Sequence, residues 1–426
     1  MPALRLVSET KSENYMKNLL LMLSLSILVH SCKDQCKQTF TYTIQVPIWI
    51  SKADFDAQNG KWLPAKLMQK TGKIFVYGQY VLISEPNKGI HFIDNRNPEK
   101  PKNIGFLEVF GNIDIALKNN LLYVDSYQDL LCFDLSDITQ PKKISIQKGI
   151  FKNRFVHTNP TADSIAIAYK TKEITQTVKC GEIYPRCATC SATNDMGMLP
   201  NGSAANAASP SSPNKAGSMA AFLVVGDYLY TVETNKLHVF SLVGSQTAQI
   251  VNSIDLGWGV ETIFASEGKL FLGTMNGMRI FSLQNPQNPT FLGEYSHPIA
   301  CDPVVVKGNT AFITTRSGNI CGNAANQLDV VDIANPRQPR LLRTYPMLNP
   351  HGLAIEGNKL FICEGKYGFK QFDASSSFDI RQEKFIQNID SFDIITLPQS
   401  FLLIGQDGLY QYNYDFSLLS KIETQP

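Results

Sequence analysis

One phrase recurs along the chain, and it limits the possible folds more than any other feature. "IHFIDNRNPEKPKNI" stands at residues 90–104, "LLCFDLSDITQPKKI" at 130–144, "MRIFSLQNPQNPTFL" at 278–292 and "LDVVDIANPRQPRLL" at 328–342. Each is an apolar run closed by Asp or Ser and followed by a proline-bearing turn. Shorter echoes are "LHVFSL" from Leu237, "FKQFDA" from Phe369 and "LYQYNY" from Leu409. The copies at 90 and 130, at 237 and 278, and at 328, 369 and 409 lie about forty residues apart, and a period of ~40–45 residues with β content marks the blades of a propeller.

Within one period the apolar runs divide into four short strands. Around residue 320 these are Pro303–Val306, Ala311–Thr314, Leu328–Ile333 and Leu341–Tyr345, each rich in Val, Ile, Leu, Phe or Tyr and bounded by Gly, Asn or Pro. The Asn-Pro-x-x-Pro element after the third strand fixes φ twice and removes two donors, so it turns the chain and launches the outer strand. A single four-stranded blade cannot bury both faces; neighbours must stack, and a closed ring leaves only short edges. The expected fold is therefore all-β, a single β-propeller of four-stranded blades spanning residues 72–426. Third strands near 90, 130, 237, 278, 328, 369 and 409 give seven blades. An eighth is expected if residues 154–178, with "SIAIAYKTKEITQTV", build another. The strand "FTYTIQV" (Phe40–Val46), within a tether at 33–71, is expected to close the ring by pairing into the last blade. Cys180–Ser218 turns small and polar from Ser191, cannot bury enough apolar surface to fold alone, and is read as a flexible insertion.

Composition sets the remaining bounds. The chain has 426 residues, of which 43% are hydrophobic, enough for a sizeable core, while a formal charge of +2 with 18% charged residues leaves no electrostatic footprint for nucleic acid. From Met16, taken as the start, the sequence reads "MKNLLLMLSLSILVHSC". Its apolar stretch Leu19–Val29 is shorter than the ~20 residues a spanning helix needs. It has the length of the apolar segment of a secretory signal. A small residue directly before Cys32 resembles the bacterial lipoprotein signal, which would place the signal in residues 1–32 and make Cys32 the acylated first residue of the mature chain; the alternatives are a plain secretory signal or an uncleaved anchor. "KDQCK" after Cys32 resembles the charged tether of outer-membrane lipoproteins of Bacteroidetes-like bacteria. The expected setting is the cell envelope, at the outer membrane and on its surface, with the chain a monomer held to the membrane by its N-terminal lipid.

The wording of the repeats, in "NKGIHFIDNRNPEKP", "GDYLYTVE", "GWGVETIF", "CDPVVV", "QLDVVDIANP" and "NPHGLAIEG", resembles the LVIVD-repeat family of bacterial surface propellers. The resemblance runs from Gly72 to Leu419. It departs at Ser375–Ser377, which replaces the Asn-Pro pair, and at Val243–Ser245, which shortens another turn. It implies a propeller fold and a cell-surface setting, and no particular reaction.

Three constellations are candidates for chemistry. Aligning the blades places Glu261, Asp302, His351 and Asp393 where the innermost strand begins, with Asp114 one register step away. Loops leading into innermost strands share one face, so these groups should converge on the mouth of the central channel. Carboxylates and a His there would suit Ca²⁺ or Mg²⁺ or a cationic ligand, and crowding would raise a carboxylate pKa and favour proton transfer. The plainer alternative is that each acid caps backbone amides of its own turn. Second, Cys301 and Cys321 lie on loops of one face and are expected to form a disulfide clamping Arg316–Asn326 over the mouth. Cys180, Cys187 and Cys190 read as a local disulfide with a spare thiol, Cys132 and Cys363 as buried small hydrophobes, and Cys36 has no assigned partner. Third, Glu85, Lys88, Arg316, Glu364, Lys366, Tyr367 and Trp258 form a mixed charged and aromatic loop face suited to a protein or glycan. His91 and His238, on third strands, read as packing or surface residues. No phosphate loop, nucleophile elbow or HExxH motif is present. The leading expectation is a binding module for an envelope protein or glycan. The alternatives are a metal-assisted hydrolase or lyase using the acidic ring with His351, and a scaffold using the insertion as a docking arm.

Overall fold

The computed structural model describes residues 37–159, 161–179, 214–216, 219–233, 235–244, 247–257, 259–297, 303–317 and 325–425. The larger of two compact units, residues 47–168 and 197–426, is built of seven antiparallel four-stranded meanders. Blade 5, which begins Val304–Lys307 and continues through Thr310–Thr315, Gln327–Asp332 and Arg340–Pro346, matches the strands read from sequence to within a residue or two. The other third strands are Gly89–Asp94, Asp129–Asp134, Lys236–Ser241, Gly277–Ser282, Phe369–Asp373 and Gly408–Asn413, one at every recurrence of the phrase.

Burial explains the strand composition. Second strands are packed on both faces and read as unbroken apolar runs: Val81, Leu82 and Ile83 in Tyr80–Glu85 are all essentially inaccessible. Burying each such side chain contributes ~1.5–3 kcal/mol relative to leaving it in water. Outer strands keep polar and charged positions, as in Arg340–Pro346. The pairing of third with fourth strand slips by one residue in every blade, for instance between Phe92 and Ile93 and between Val330 and Val331. Such bulges sharpen the local twist, which gives the outer strand of a propeller blade its pitch.

The turns between third and fourth strands do more than launch outer strands. At six of the seven junctions the turn of one blade bonds or packs against the outer strand of the blade before it. Gln147 Nε2 donates to Ala248 O, Asn252 Nδ2 to Gln287 O at 3.0 Å, Arg343 Nη1 to Phe378 O at 3.0 Å and Lys384 Nζ to Asp415 O at 3.3 Å. At Gly293 the approach of Pro336 O is so close that a Cβ would lie 2.5 Å from it. The sixth contact, Ser420 Oγ to Pro98 O at 2.6 Å, joins the last blade to the first. At the remaining junction the outer strand of blade 1, Lys102–Glu108, is covered instead by Lys61–Leu63, with Trp62 lying over Gly105.

Ring closure corrects one expectation. The last blade is completed by its own four strands, Ser391–Thr396 through Leu418–Glu423, and Phe40–Val46 does not pair with it. Closure comes from side-chain packing of Ile74, Val76 and Ile83 against Ile395, Leu402 and Ile404, with Thr71 Oγ1 donating to Gly405 O at 2.7 Å. Nor do residues 154–178 make an eighth blade: Ser164–Lys179 is one long strand, paired with Lys37–Ser51 and, at its start, with Thr158–Asn159. The described residues of the second compact unit, Lys37–Val46 and Tyr169–Lys179, form a two-stranded ribbon with Thr39 opposite Thr177 and Gln45 opposite Thr171.

The insertion also ends differently from expectation. Asn214–Ala216, read as part of a flexible segment, pairs antiparallel with the hub-facing edge of the innermost strand Ile74–Tyr77. Beyond it Ala220 O accepts from Ile263 N of blade 4 at 3.1 Å, and Ala221 N donates to Asp114. The chain therefore fills part of its own hub.

Candidate functional site

The residues expected at the channel mouth fall into two groups. Asp114 precedes the innermost strand Ile115–Lys118, and Asp393 lies in the innermost strand Ser391–Thr396; both line one small cleft with Lys73, Ile74, Met219 and Ala220. Both carboxylates cap backbone: Asp114 Oδ1 accepts from Ile115 N at 2.8 Å, and Asp393 Oδ1 from Ile394 N at 2.9 Å. Asp114 is almost wholly buried, and Lys73 Nζ sits 2.7 Å from its Oδ2. Burial raises the Asp114 pKa, while the Lys73 charge pulls it back. Lost hydration is the largest cause of the upward direction, and the like charge of Asp125 adds a smaller one.

The second group is Glu261, Arg316 and His351. Arg316 follows the second strand of blade 5 directly, and its Nη1 donates to the His351 ring, 2.8 Å from Nε2. Asn349 Nδ2 lies 3.2 Å from the same nitrogen, and His351 O accepts from Thr314 Oγ1 at 2.9 Å. Burial lowers the His351 pKa to about 3, and the neighbouring guanidinium adds to the fall; the imidazole is neutral at pH 7. Burial likewise lowers the Arg316 pKa, opposed by the Glu261 charge. A neutral, hydrogen-bond-accepting His beside a guanidinium is poorly placed to gather a cation, because Arg316 repels it. Among the described residues no group of three or more His, Cys, Asp or Glu is arranged to hold a metal ion.

A third set of acids has a role the sequence reading missed, and two of its members, Asp125 and Glu233, were not singled out at all. Glu85, Asp125, Glu233 and Glu364 stand at or beside the ends of second strands, and all four are buried. Each ties a loop to the mouth. Glu85 takes Lys88 Nζ at 2.6 Å and His91 Nε2 at 2.8 Å; burial alone would raise its pKa, but these two bonds hold it down at about 2. Asp125 Oδ1 accepts from Asn112 Nδ2 and from the amides of Ile113 and Asp114, and Arg154 reaches Oδ2. Glu233 accepts from Asn153 N at 2.8 Å and faces His238 at 3.5 Å. Glu364 accepts from Leu348 N at 2.9 Å, Asn349 N at 2.7 Å and Lys370 Nζ at 2.5 Å.

Glu85 and Glu364, expected on a loop face that meets a protein or glycan, are instead internal clamps. His91 is the buried partner of Glu85, His238 faces Glu233, and both are packed inside rather than on the surface. The signal was in the sequence: an acid at the strand end is followed a few residues later by His or Lys, in Glu85/His91, Glu233/His238 and Glu364/Lys370. What stays exposed on this face is Tyr367, 40% accessible, and Leu348, 45% accessible, with Lys366 Nζ 5.2 Å from the Tyr367 ring and Lys88 half-exposed.

Cys132 and Cys363 are free and buried, as their strand positions implied. Asp302, the Cys301–Cys321 disulfide, Trp258, the proposed lipidation site Cys32, Cys36 and the Cys180, Cys187 and Cys190 group lie outside the described residues. No helix among the described residues is long and apolar enough to cross a membrane.

Comparison with known proteins agrees with the fold. Residues 300–346, essentially blade 5, match the model of the LVIVD repeat, and "LDVVD" at Leu328–Asp332 is its third strand. Among solved structures the chain is similar to a protein from Lactobacillus plantarum, with TM-score 0.53, 11% identity and coverage of 84% of this chain and 97% of that one. It is also similar to Saccharomyces cerevisiae Sqt1, with TM-score 0.51, 11% identity and coverage of 86% and 89%. A third is the computationally designed Ika8 protein, with TM-score 0.50, 9% identity and coverage of 86% and 91%. At these identities the likeness concerns the fold alone. Comparison with curated proteins gives no match.

Proposed function

We propose that this propeller, which carries an LVIVD repeat, is an exported, lipid-anchored binding or scaffold module of the bacterial cell envelope that recognises a protein or glycan through its channel-mouth loops. One observation carries the reading. Glu364, wholly buried, fixes both of the loops that hold exposed apolar groups at the mouth. Its carboxylate accepts from Leu348 N and Asn349 N, and its carbonyl accepts from Tyr367 N at 3.1 Å. Rigidly held aromatic and aliphatic groups lose little conformational entropy when a partner covers them, which is the usual make-up of an interface anchor. Behind them the hub offers little room, since Asn214–Ala216 lies along its wall and the acids there already bind the chain's own amides and cations. The surface rather than a cavity is left to act. Export and acylation at Cys32 rest on the leader sequence.

The test is cross-linking and pull-down from intact envelopes with the parent chain and with Leu348→Ala/Tyr367→Ala, together with metal analysis of the purified sample. The reading expects one partner recovered with the parent, at least ten-fold less with the double variant, and unchanged thermal stability. Equal recovery with both chains would refute it. A stoichiometric divalent metal, lost on His351→Ala, would favour the hydrolase or lyase alternative instead.

A further inference from the structure

The ribbon formed by Lys37–Val46 and Tyr169–Lys179 has two unlike faces. On one, hydroxyls meet across the strands: Thr39 and Thr177 Oγ1 are 3.1 Å apart, Thr41 and Thr175 Oγ1 3.3 Å, and Gln45 Nε2 donates to Thr171 Oγ1 at 3.0 Å. Because side chains alternate along a strand, the same register places Tyr42, Ile44 and Val46 opposite Ile174, Lys172 and Lys170 on the other face. Tyr42 and Val46 are each 37% accessible there, and Ile44 and Ile174 are half-buried. The acid of this paired stretch, Glu173, projects from the hydroxyl face, which also carries Lys37, while Lys170 and Lys172 share the apolar face with no acid beside them.

A two-stranded ribbon is marginal in water on its own, and one that leaves an aliphatic and aromatic face half-exposed is short of a second surface. We propose that the face bearing Tyr42, Ile44, Val46, Ile174, Lys170 and Lys172 lies on an anionic lipid surface. The charge distribution selects this occupant. Lysines beside apolar groups, with the acid turned away, match a bilayer interface, where ammonium groups reach lipid phosphates along their own stems and a tyrosine sits at headgroup level. Lying flat, the ribbon keeps its open edges among headgroups and water, where their backbone groups find partners. The inference goes beyond the lipid-anchor reading. An acyl chain on Cys32, a short way before Lys37, would deliver the ribbon to a bilayer, but the face is built to bind one with or without it.

The test uses the full chain carrying either Tyr42→Trp or Thr41→Trp, bound to phosphatidylglycerol-containing vesicles whose acyl chains are brominated. Emission of the parent, with its native tryptophans, is subtracted. The expected result is at least two-fold quenching of the indole added by Tyr42→Trp and little quenching of that added by Thr41→Trp. Lys170→Glu/Lys172→Glu in the Tyr42→Trp background should remove the difference. Equal quenching of both, quenching of neither, or failure to bind the vesicles overturns the proposal. So does an added indole shielded from aqueous iodide yet untouched by bromolipid, which would assign the face to a protein. Thermal melts guard against misfolding. The mass of the N-terminal peptide reports acylation separately. An unmodified Cys32 with a quenched Tyr42→Trp indole sinks the anchor reading alone, and an acylated Cys32 with an unquenched one sinks the ribbon alone.

Discussion

Glu85 makes the buried-clamp reading quantitative. Its carboxylate has no solvent contact and holds Lys88 at 2.6 Å and His91 at 2.8 Å. Burial pushes its pKa upward from 4.5, yet the hydrogen bonds from His91 and Lys88 prevail and bring it to about 2. With the folded value below the unfolded one, the unfolded chain takes up the proton first as the pH falls. The stabilisation is therefore whole above about 4.5 and drains away between there and about 2. At ~1.4 kcal/mol for each pH unit spanned, it amounts to about 3 kcal/mol. Glu85→Gln keeps the side-chain volume and removes the titration. Urea unfolding of both proteins from pH 7 to pH 2.5, at matched m-values, reads the difference directly. The parent should be more stable than the variant by a margin that shrinks by about 3 kcal/mol, within a factor of two, over the acid limb. If that margin stays constant with pH to within about 0.5 kcal/mol, the clamp contributes no charge-dependent stability and the argument fails.

Three further outcomes are expected. Glu364→Ala should cost about 3–5 kcal/mol in urea unfolding because it strands the buried Lys370 ammonium and two amides. Lys370→Met should cost less, since Glu364 keeps both amides; the reverse order would contradict the geometry. His351, with its pKa lowered to about 3, should show no titration of its ring NMR signals between pH 8 and pH 4, and a midpoint near the usual 6.5 would refute its burial beside Arg316. Because the unfolded chain protonates this ring first, it draws stability down as pH falls below 6.5. Gly277→Ala should cost about 3 kcal/mol or more by thermal unfolding, since φ is +134° and a Cβ would stand 1.9 Å from Tyr295 O. Gly308→Ala, at φ +53° with open space, should cost only about 1 kcal/mol.

How much was legible follows from the range of the interactions. The seven third strands, their turns and the four strands per blade were readable because periodicity, β-branched runs and proline chemistry act within a few residues. Blade packing against blade made the ring predictable, and the ring brought Asp114 near Asp393 and Arg316 near His351. The partners of those groups were not predictable from spacing. Lys73 meets Asp114 from another blade, and Ala221 N reaches it from far along the chain. The acids Glu85 and Glu364 looked like loop residues because a strand end followed by Pro-Asn or Gly-Lys reads as a solvated turn. Only the assembled blades show that these carboxylates point inward.

Local grammar by itself determined that this chain is a wheel of β-meanders, because each repeat carries its own strand and turn signals and cannot bury its faces alone. Tertiary structure alone decided which polar groups are spent holding the wheel together, what fills its hub, and that Phe40–Val46 joins a ribbon rather than the last blade. Those outcomes depend on pairings between segments distant in sequence, whose energies are set by burial and by the geometry of the partner.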